Sequence, residues 1–515
     1  MCWAPMLVAA VLLRLILWWK DELPFHADEA VVALMARHIL QGERPLFFYG
    51  QSYMGALDAY LTALGFALFG ESVTVIRMVQ ALLYAGTMVF SAAWLYEVAG
   101  KSSQCPVLLL LLFPPVGFLL YTAFSLGGYG EALFFGSVLL WWTWRCSQRQ
   151  RILLRDGFLW GSLAGIGLWC THLTAIYVLP LTFILLYKQW RGLQVRWPFW
   201  AGLAAGLTIG LIPYLLHIGS KGVYTVLADL RGARVPQHPL LSDPLQRLGL
   251  LVLAWFTVVM GVRPPWEFIF IGGPLAVVPL LLFLLLVKVT RKPISSALTW
   301  PLVLAGFNLF LWWATPFAGD VSGRYALPST HAWILFLAGS ISQVSQRKLR
   351  AILLWGFTGY YALSLLILTW GPGFLNPQFN FASRIDLSGL PELAEFLERN
   401  RLVHGYTNYW IAYPLAFLSG EKLIFAPRLP YHFDLRYSPW DDRYPLYTCL
   451  VVRSEDIAYV TSGPPALDQA LRKGFQALGI TWEEVTVKNF RVYYRLSSPV
   501  HPWELGISSP PEPCP

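Results

Sequence analysis

Long apolar runs separated by short basic gaps make up most of the first 370 residues of the chain. The runs begin with residues 3–19 and 73–99, and each is long enough to cross a bilayer as a helix. The others are 105–123, 130–145, 157–170, 174–187, 197–216, 268–288, 299–315, 326–342 and 351–370. This pattern predicts about eleven transmembrane helices in a polytopic α-helical membrane domain, residues 1–370.

Lysine and arginine residues gather in the gaps between these runs. The basic gaps hold Lys101; Arg145, Arg149, Arg151 and Arg155; Lys188, Arg191 and Arg196; Lys288, Arg291 and Lys292; and Arg347, Lys348 and Arg350. With a cytoplasmic N-terminus, every one of these gaps falls on the cytoplasmic side, as the positive-inside rule requires. The same assignment places the acids near residues 28 and 131, and everything after about residue 371, outside.

Two segments depart from simple spans. Residues 246–262 are apolar enough to cross, but a full span there would put Lys288 outside, so a re-entrant or interfacial segment is predicted. The first outer loop, residues 20–72, carries two amphipathic patterns, over Ala30 to Leu40 and over Tyr53 to Phe69. Both patterns suit helices that lie in the membrane interface.

The composition changes after residue 370. Of the 29 acidic residues, 14 precede residue 371 and 15 follow it. Helix signals at 390–401 and 465–478, with strand-like alternation at 422–425, 448–452 and 485–494, predict a small extracytoplasmic α/β domain over residues 371–515. Cys449 and Cys514 would be free to form a disulfide there.

Composition supports the membrane interpretation. The chain is 56% hydrophobic and 13% charged, whereas a soluble domain carries about 25% charged residues. The net charge of +9 resides in the gaps between apolar runs, where it sets orientation, so no nucleic-acid partner is predicted. The six cysteines include no C-x-x-C pair, which argues against a zinc or redox motif.

Two acidic sites stand next to predicted spans. His26, Asp28 and Glu29 follow the first apolar run, and Glu131 follows the glycine-rich stretch Ser125 to Gly130. Carboxylates are costly at a bilayer and are usually functional where they occur. The two sites therefore predict an active site at the outer membrane face.

These residues carry a resemblance to a known family. Pro24-Phe25-His26-Ala27-Asp28-Glu29-Ala30 resembles the first-loop acidic motif of the GT-C membrane glycosyltransferases, in the protein O-mannosyltransferase and aminoarabinose-transferase branch. Residues 48–55 with 67–70 resemble the second interfacial helix of that branch, and Gly323-Arg324-Tyr325-Ala326-Leu327-Pro328 resembles its late Arg-Tyr-x-x-Pro signature. The resemblance covers about residues 1–345 and leaves the C-terminal domain unassigned.

The resemblance implies a GT-C-like fold and an inverting transfer of a sugar from a polyprenyl-phosphate carrier to an acceptor hydroxyl. The reaction would take place on the outer side of a prokaryotic plasma membrane, with a protein, glycolipid or polysaccharide as acceptor. Some relatives have an acid or metal ligand before a proline in the second interfacial helix. Gln51-Ser52-Tyr53 lacks that proline, so no metal site carries over, and a divalent cation stays an open cofactor.

Glycosyl transfer needs a base for the acceptor proton and groups that stabilise the leaving phosphate. Asp28 is the predicted base; the alternative is that Asp28 and Glu29 only cap a helix. Glu131 is predicted to bind donor or acceptor, or to share a proton with Asp28; the alternative is a solvated acid at a helix start. Arg324 is predicted to hold the carrier phosphate; the alternative is a snorkelling interfacial arginine.

Further candidates belong to the same surroundings. Tyr325, Glu29 and His26 are predicted to assist donor binding, while the weaker candidates Tyr53, Asp58 and His172 would line the cavity. Arg263 before Pro264-Pro265-Trp266 is either a lipid-phosphate anchor or a turn. The aromatic run from Tyr406 to Tyr413 either stacks on a sugar or belongs to a buried core.

Two other function classes compete with the transferase. A lipid or solute transporter should show internal repeats and broken helices in matching halves, and the sequence shows neither. A non-catalytic envelope-assembly protein would use the outer domain and carry a degenerate acidic motif.

Overall fold

The computed structural model describes residues 3–19, 24–149, 152–190, 197–224, 244–265, 269–290, 296–315, 320–369, 378, 384–462 and 465–514. The chain divides into two compact units. The first consists of Met1–Leu23, Ser52–Asp58 and Thr74–Asn376, and the second of Pro24–Gln51, Ala59–Val73 and Pro377–Pro515. Most of the first outer loop thus belongs with the C-terminal residues, and the predicted boundary near residue 370 stays a prediction.

The first unit is mostly helical in its described residues, apart from residues 52–55, which belong to the strand Gln51–Gly55. Its α-helices are Trp3–Trp19, Val73–Ala99, Gln104–Leu112, Val116–Ala123, Tyr129–Gln148, Leu154–Cys170, Ala175–Trp190, Trp197–Gly210, Ile212–Lys221, Pro244–Leu250, Thr257–Val259, Val278–Val289, Thr299–Ala314, Leu327–Gln343 and Arg347–Thr369. Short 3-10 helices are Lys101–Ser103, His172–Thr174, Gly273–Val277 and Arg324–Ala326, and Leu251–Phe256 is a π-helix. A helix therefore occurs at every predicted apolar run.

Three helices in the described part of the chain are long and apolar enough to cross a membrane: Val73–Ala99, His172–Trp190 and Arg347–Thr369. The total rises to five if two bent pairs each count as one span. The predicted total of about eleven spans, and the re-entrant assignment of residues 246–262, stay predictions.

The two bent pairs correct the prediction of straight spans at 105–123 and 197–216. The first bends by 75° between Gln104–Leu112 and Val116–Ala123, and the second by 55° between Trp197–Gly210 and Ile212–Lys221. Pro114 and Pro115 lie in the first break, where proline supplies no backbone N–H and cannot continue the helix. Pro213 opens the helix after the second break.

Helices Leu154–Cys170 and Trp197–Gly210 approach each other closely through glycines. A Cβ atom added to Gly161 would lie 2.1 Å from the Leu203 carbonyl oxygen, and one on Gly202 would lie 2.2 Å from the Leu154 carbonyl oxygen. The residues that allow this approach recur every four positions on each helix: Gly157, Gly161 and Gly165 face Gly202, Gly206 and Gly210. This small-residue packing is the usual way for apolar helices to associate where water supplies no driving force.

The first outer loop contains the helices Ala27–Leu40 and Leu57–Phe69 and the short strands Phe47–Phe48 and Gln51–Gly55. The second predicted amphipathic helix therefore begins later than Tyr53, which lies in a strand. Ala27–Leu40 packs on Tyr409–Leu418 and is buried on nearly all sides. Its four alanines, Ala27, Ala30, Ala33 and Ala36, are all buried, and their small side chains allow neighbouring elements to pack closely against the helix.

The rest of the second unit is an α/β fold. Its five-stranded sheet has the order Ile424–Pro427, His404–Thr407, Ala458–Thr461, Phe490–Tyr494 and Glu483–Val487. The first three strands are parallel and the last two are antiparallel to their neighbours. The helices are Leu390–Arg399, Tyr409–Leu418, Pro445–Val452 and Pro465–Ala477, with a 3-10 turn at Pro439–Asp441.

Sequence patterns predicted this sheet only in part. The strand predicted at 448–452 is wrong, because Pro445 opens a helix there that ends at Val452. The strand predicted at 485–494 is two strands joined at a turn where Lys488 has φ +54°. The predicted disulfide between Cys449 and Cys514 is confirmed, with their Cα atoms 5.6 Å apart.

We predict that Gly161→Ala destabilises the protein although alanine is the better helix former. The added methyl group meets the Leu203 carbonyl, and such overpacking costs about 1–3 kcal/mol. The control is Gly306→Ala in Thr299–Ala314, where an added Cβ meets no atom within 4 Å and alanine gains up to about 1 kcal/mol. Thermal unfolding midpoints in detergent measure both, and equal shifts would contradict the close packing.

Candidate functional site

Asp28 lies in the first turn of helix Ala27–Leu40, whose N-cap residue is His26. Its Oδ1 atom accepts a hydrogen bond of 2.5 Å from the hydroxyl of Tyr409. Tyr409 is 3% exposed, whereas Asp28 is only partly buried. The predicted base therefore has a fixed partner on a distant helix, beyond any capping contact with its own helix.

Two further charged groups surround Asp28 within the second unit. Burial raises the pKa of Asp441 to about 7; the Arg443 guanidinium opposes this shift and the Asp28 carboxylate adds to it. The Arg443 guanidinium lies over the ring of Tyr409, with its Cζ atom 5.5 Å from the ring centroid. The local arrangement is two carboxyl groups and one guanidinium around a buried tyrosine.

One hydroxyl group fixes the turn that carries Asp441 and Arg443. Tyr413 Oη accepts hydrogen bonds from the backbone N–H groups of Arg443, at 2.6 Å, and Tyr444, at 3.3 Å. It also donates to the carbonyl oxygen of Asp441 at 3.2 Å. Tyr409 and Tyr413 lie one helical turn apart, with ring centroids 5.5 Å apart, so one helix face organises both sides of the cluster.

His26 and Glu29 lie inside the second unit, beside Asp28 in the sequence. Both are fully buried, and His26 Nε2 lies 3.9 Å from Glu29 Oε2. The imidazole also meets the indole of Trp410 edge-on, with centroids 6.5 Å apart. Their predicted part in donor binding stays a prediction, because no ligand is present.

The far end of helix Ala27–Leu40 is fixed by Glu421. Arg37 Nη1 lies 3.3 Å from Glu421 Oε2, and His38 Nε2 lies 2.9 Å from Oε1. Tyr447 donates to the same Oε1 at 2.6 Å. Burial opposes ionisation, but the hydrogen bonds from His38, Tyr447 and Arg37 lower the pKa of Glu421 to about 2.

The first unit holds the second predicted acid, Glu131, in the first turn of Tyr129–Gln148. The side chain is 1% exposed, and neither carboxylate oxygen has a hydrogen-bond partner in the described part of the chain. Its electrostatic neighbour is Asp58, whose Oδ2 accepts a hydrogen bond from the Ser125 hydroxyl. A buried polar group without a partner is costly and usually marks a site that takes a water, ion or ligand.

Two of the glycines before Glu131 bend the backbone. Gly127 and Gly128 have φ values of +81° and +82°, which favour glycine. A Cβ atom on Gly127 would lie 2.9 Å from the Met54 thioether, and one on Gly128 would lie 2.9 Å from the Cys170 carbonyl oxygen. The close neighbour at these positions is therefore protein.

Arg324 is paired with an acid in the first unit. Its Nε and Nη2 atoms both contact Asp320 Oδ2, and its side chain is 34% exposed. The guanidinium also lies over the ring of Tyr325 at 5.0 Å and interacts electrostatically with Tyr121 and Tyr129. A phosphate at Arg324 would compete with Asp320, a partner that the sequence analysis did not assign.

Tyr53 and His172 come together through a tyrosine of the bent helix pair. His172 Nε2 lies 3.0 Å from the hydroxyl of Tyr214, which also donates to the Tyr53 carbonyl at 3.5 Å. Tyr53 further interacts electrostatically with Tyr325. The weak candidates Tyr53 and His172 thus share one end of the first unit with Tyr325.

Two alternatives left open by the sequence are decided by contacts. Arg263 is 2% exposed, and its Nη2 donates to the carbonyl oxygens of Ala254, at 3.4 Å, and Val321. It fixes local backbone, as the turn interpretation requires; Trp266 lies outside the described residues. Tyr406, Tyr409 and Tyr413 are buried, which favours the core interpretation of the aromatic run.

The sequence did not indicate Asp441, Arg443 or the contact between Tyr409 and Asp28. Nothing in the local pattern near Asp28 points to Tyr409, 381 positions later. No group of three or more His, Cys, Asp and Glu side chains able to hold a metal ion occurs in the part of the chain that the structure describes, and a divalent cation stays an open cofactor.

Comparison with known proteins identifies the fold. No protein-family model and no curated sequence matches the chain. The structure of ArnT, an aminoarabinose transferase from Cupriavidus metallidurans, bound to undecaprenyl phosphate is similar, with a TM-score of 0.56 and 14% identity over 94% of this chain and 97% of that one. Its apo structure has the same TM-score and identity, over 98% of both chains.

The oligosaccharyltransferase AglB from Archaeoglobus fulgidus, solved with an inhibitory peptide and a dolichol-phosphate, aligns at a TM-score of 0.45 and 12% identity. That alignment covers 89% of this chain and 69% of AglB. The likeness to the two ArnT structures shows that this chain has their fold.

We predict that Asp441→Asn stabilises the protein increasingly as pH rises from 5 to 8. The unfolded carboxyl ionises near pH 3.8 and the folded one near 7, so the folded state binds more protons between these values and wild-type stability falls as pH rises. Removing the group should gain about 1–2 kcal/mol at pH 8 relative to pH 5.

Asp442→Asn tests the neighbouring acid, whose pKa burial also raises, and it serves as a comparison of size and not as a control for pH dependence. Asp442 Oδ2 lies 2.7 Å from Arg428 Nη2, and both side chains are less than 8% exposed, so breaking this pair should cost about 3–5 kcal/mol. Thermal unfolding at several pH values measures both variants. A pH-independent effect of Asp441→Asn would contradict its late ionisation.

Proposed function

We propose that the protein is an inverting membrane glycosyltransferase that moves a sugar from a polyprenyl-phosphate donor to an acceptor hydroxyl. The observation that carries the proposal is the placement of Asp28. In a chain with the fold of ArnT, this carboxylate is partly exposed at the start of the first-loop helix and is held by a buried tyrosine.

In the proposed reaction, Asp28 takes the proton of the acceptor hydroxyl while the acceptor oxygen attacks the anomeric carbon of the sugar. The bond between that carbon and the phosphate oxygen breaks, and the polyprenyl phosphate leaves with its electron pair. Attack opposite the leaving group inverts the anomeric configuration. A positioned base contributes about 10²–10⁴-fold to such a step.

The surroundings of Asp28 suit a general base. The rings of Tyr409 and Trp410, in contact with centroids 5.2 Å apart, limit access of water and strengthen local electrostatics. Arg443 offsets the negative charge of Asp441, which interacts electrostatically with Asp28. His26 and Glu29 would support this helix end from the interior.

The first unit would supply groups for the lipid-linked donor. We assign Arg324 and Tyr325 to the phosphate, since a guanidinium makes paired, charge-assisted bonds to phosphate oxygens. Glu131 would act on the sugar, because its buried carboxylate otherwise lacks a hydrogen-bond partner among the described residues. Asp58, Tyr53 and His172 would line the approach to these groups.

The proposed setting is a prokaryotic plasma membrane with a cytoplasmic N-terminus and an outer C-terminal unit. The basic gaps support this orientation through the positive-inside rule, and the disulfide between Cys449 and Cys514 suits an oxidising compartment. The acceptor would be a protein, glycolipid or polysaccharide. A divalent cation is assigned no step and is tested directly in the assay.

We predict that Asp28→Asn abolishes sugar transfer, with at least a 10²-fold loss. The measurement is transfer of radiolabelled sugar from a panel of polyprenyl-phosphate sugars to membrane extracts, with and without EDTA. Asp434→Asn, which removes an exposed acid of the same unit, is the control at matched expression. Equal labelling by Asp28→Asn and wild type would remove Asp28 as the base.

The same assay separates the competing classes. A transporter or an assembly protein gives no labelled product from any donor, and its cellular function survives Asp28→Asn. The two bent helix pairs are breaks that the sequence did not indicate, but no sequence repeat relates them, as the matching halves of a transporter would require.

We predict that Arg324→Gln raises the KM for the lipid donor about 10–100-fold. This is the loss of affinity expected when one charge-assisted hydrogen bond to the phosphate is removed. Arg350→Gln, in a basic gap predicted to face the cytoplasm, is the control and should leave KM unchanged. The measurement is donor-dependent initial rates with a thermal unfolding check, since Arg324→Gln also leaves Asp320 without its pair. An unchanged KM would assign Arg324 a structural role.

A further inference from the structure

We propose that the C-terminal residues complete the catalytic apparatus, with Tyr409 as a positioning residue that orients the Asp28 carboxylate. The inference rests on the proposed function and extends it to a part of the chain that the family resemblance did not cover. It makes the outer α/β fold a component of the active site.

The contact itself is direct. The Tyr409 hydroxyl donates to Oδ1 of Asp28 at 2.5 Å, and the tyrosine is buried. Burial raises the pKa of Tyr409 far above its usual value, and the Asp28 charge raises it further. The hydroxyl therefore keeps its proton and acts as a donor at every working pH.

The donor is held in place by its own helix. Asn408 caps the helix Tyr409–Leu418, because its Oδ1 accepts hydrogen bonds from the N–H groups of Trp410 and Ile411 at 3.0 and 3.3 Å. The cap fixes the first turn, in which Tyr409 lies. One turn later, Tyr413 fixes the backbone of residues 441–444.

The charges on that turn bear on the same carboxylate. Arg443 lies over the Tyr409 ring, and both Asp28 and Arg443 interact electrostatically with Asp441. A movement of the 441–444 turn would thus alter the charge balance around Asp28. The turn and the tyrosine together determine how the base is oriented and charged.

A hydrogen bond to one carboxylate oxygen limits rotation of the group about its Cβ–Cγ bond. A base needs its lone pair aligned with the acceptor proton, and a misplacement of about 1 Å can cost about 10²-fold in rate. Because the tyrosine acts through Asp28 and not on the substrate, its loss should lower kcat and leave KM nearly unchanged.

The competing explanation is that a buried tyrosine merely needs an acceptor for its hydroxyl. Tyr459 illustrates that case in the same unit: it is fully buried and donates to the Val500 carbonyl oxygen at 2.5 Å. Tyr459→Phe therefore removes a comparable hydrogen bond without touching Asp28, which makes it the matched control for Tyr409→Phe.

The experiment compares kcat, KM and the pH profile of wild type, Tyr409→Phe and Tyr459→Phe, with thermal unfolding to confirm folding. We expect kcat to fall about 10–100-fold for Tyr409→Phe, with KM within about threefold and the acid limb of the profile moved to higher pH, because a donor to the charged carboxylate is lost. Tyr459→Phe should retain wild-type kcat.

A second comparison tests whether Tyr409 acts by orienting Asp28 or only by stabilising the fold. In an Asp28→Glu background, where the longer side chain already breaks the contact, Tyr409→Phe should cause little further loss. A full, independent loss there, or equal kcat for the two phenylalanine variants, would overturn the inference. Absence of any transfer by wild type would instead overturn the proposed function.

Discussion

The ion-pair cluster at Glu421 fixes one end of the first-loop helix Ala27–Leu40, which carries Asp28 at its other end. Arg37 and His38 lie at the last turn of Ala27–Leu40, and both bond to this one carboxylate. With Tyr409 on Asp28 at the first turn, the helix is fixed at both ends. Contacts at both ends of a rigid helix hold it in one orientation, as the proposed role of Asp28 as a base would require.

Long apolar runs made much of the helical unit predictable. The helices Trp3–Trp19 and Val73–Ala99 begin and end where the sequence indicates, because length and hydropathy leave no other choice for such segments. The breaks at residues 113–115 and 211 were not predicted, although prolines stand beside both. Hydropathy averages over a window and is insensitive to a single missing N–H donor.

The α/β part of the second unit was less predictable from the sequence. Its central strands His404–Thr407 and Ala458–Thr461 are four residues long, too short for a period of two to be distinct from chance. The candidate site around Asp28 was also predictable only where the signal is local. Asp28 stands out locally, whereas its bond to Tyr409 joins residues 381 positions apart and depends on how a sheet and a helix pack. No local pattern encodes that contact.

Two kinds of buried or partly buried acidic group occur among the described residues, and the second kind fits the proposed catalytic site. Glu421 has full partners, and its pKa of about 2 means that its charge stabilises the fold at neutral pH and is lost as pH falls from about 5 toward 2. Glu131 is buried without a hydrogen-bond partner among the described residues, and the pKa of Asp441 is raised to about 7 beside Asp28. Both arrangements lower stability at neutral pH. Ionisable groups that lower the stability of the fold are typical of functional sites. Here Glu131 is itself one of the two acidic sites singled out in the sequence, and Asp441 interacts electrostatically with Asp28 of the other.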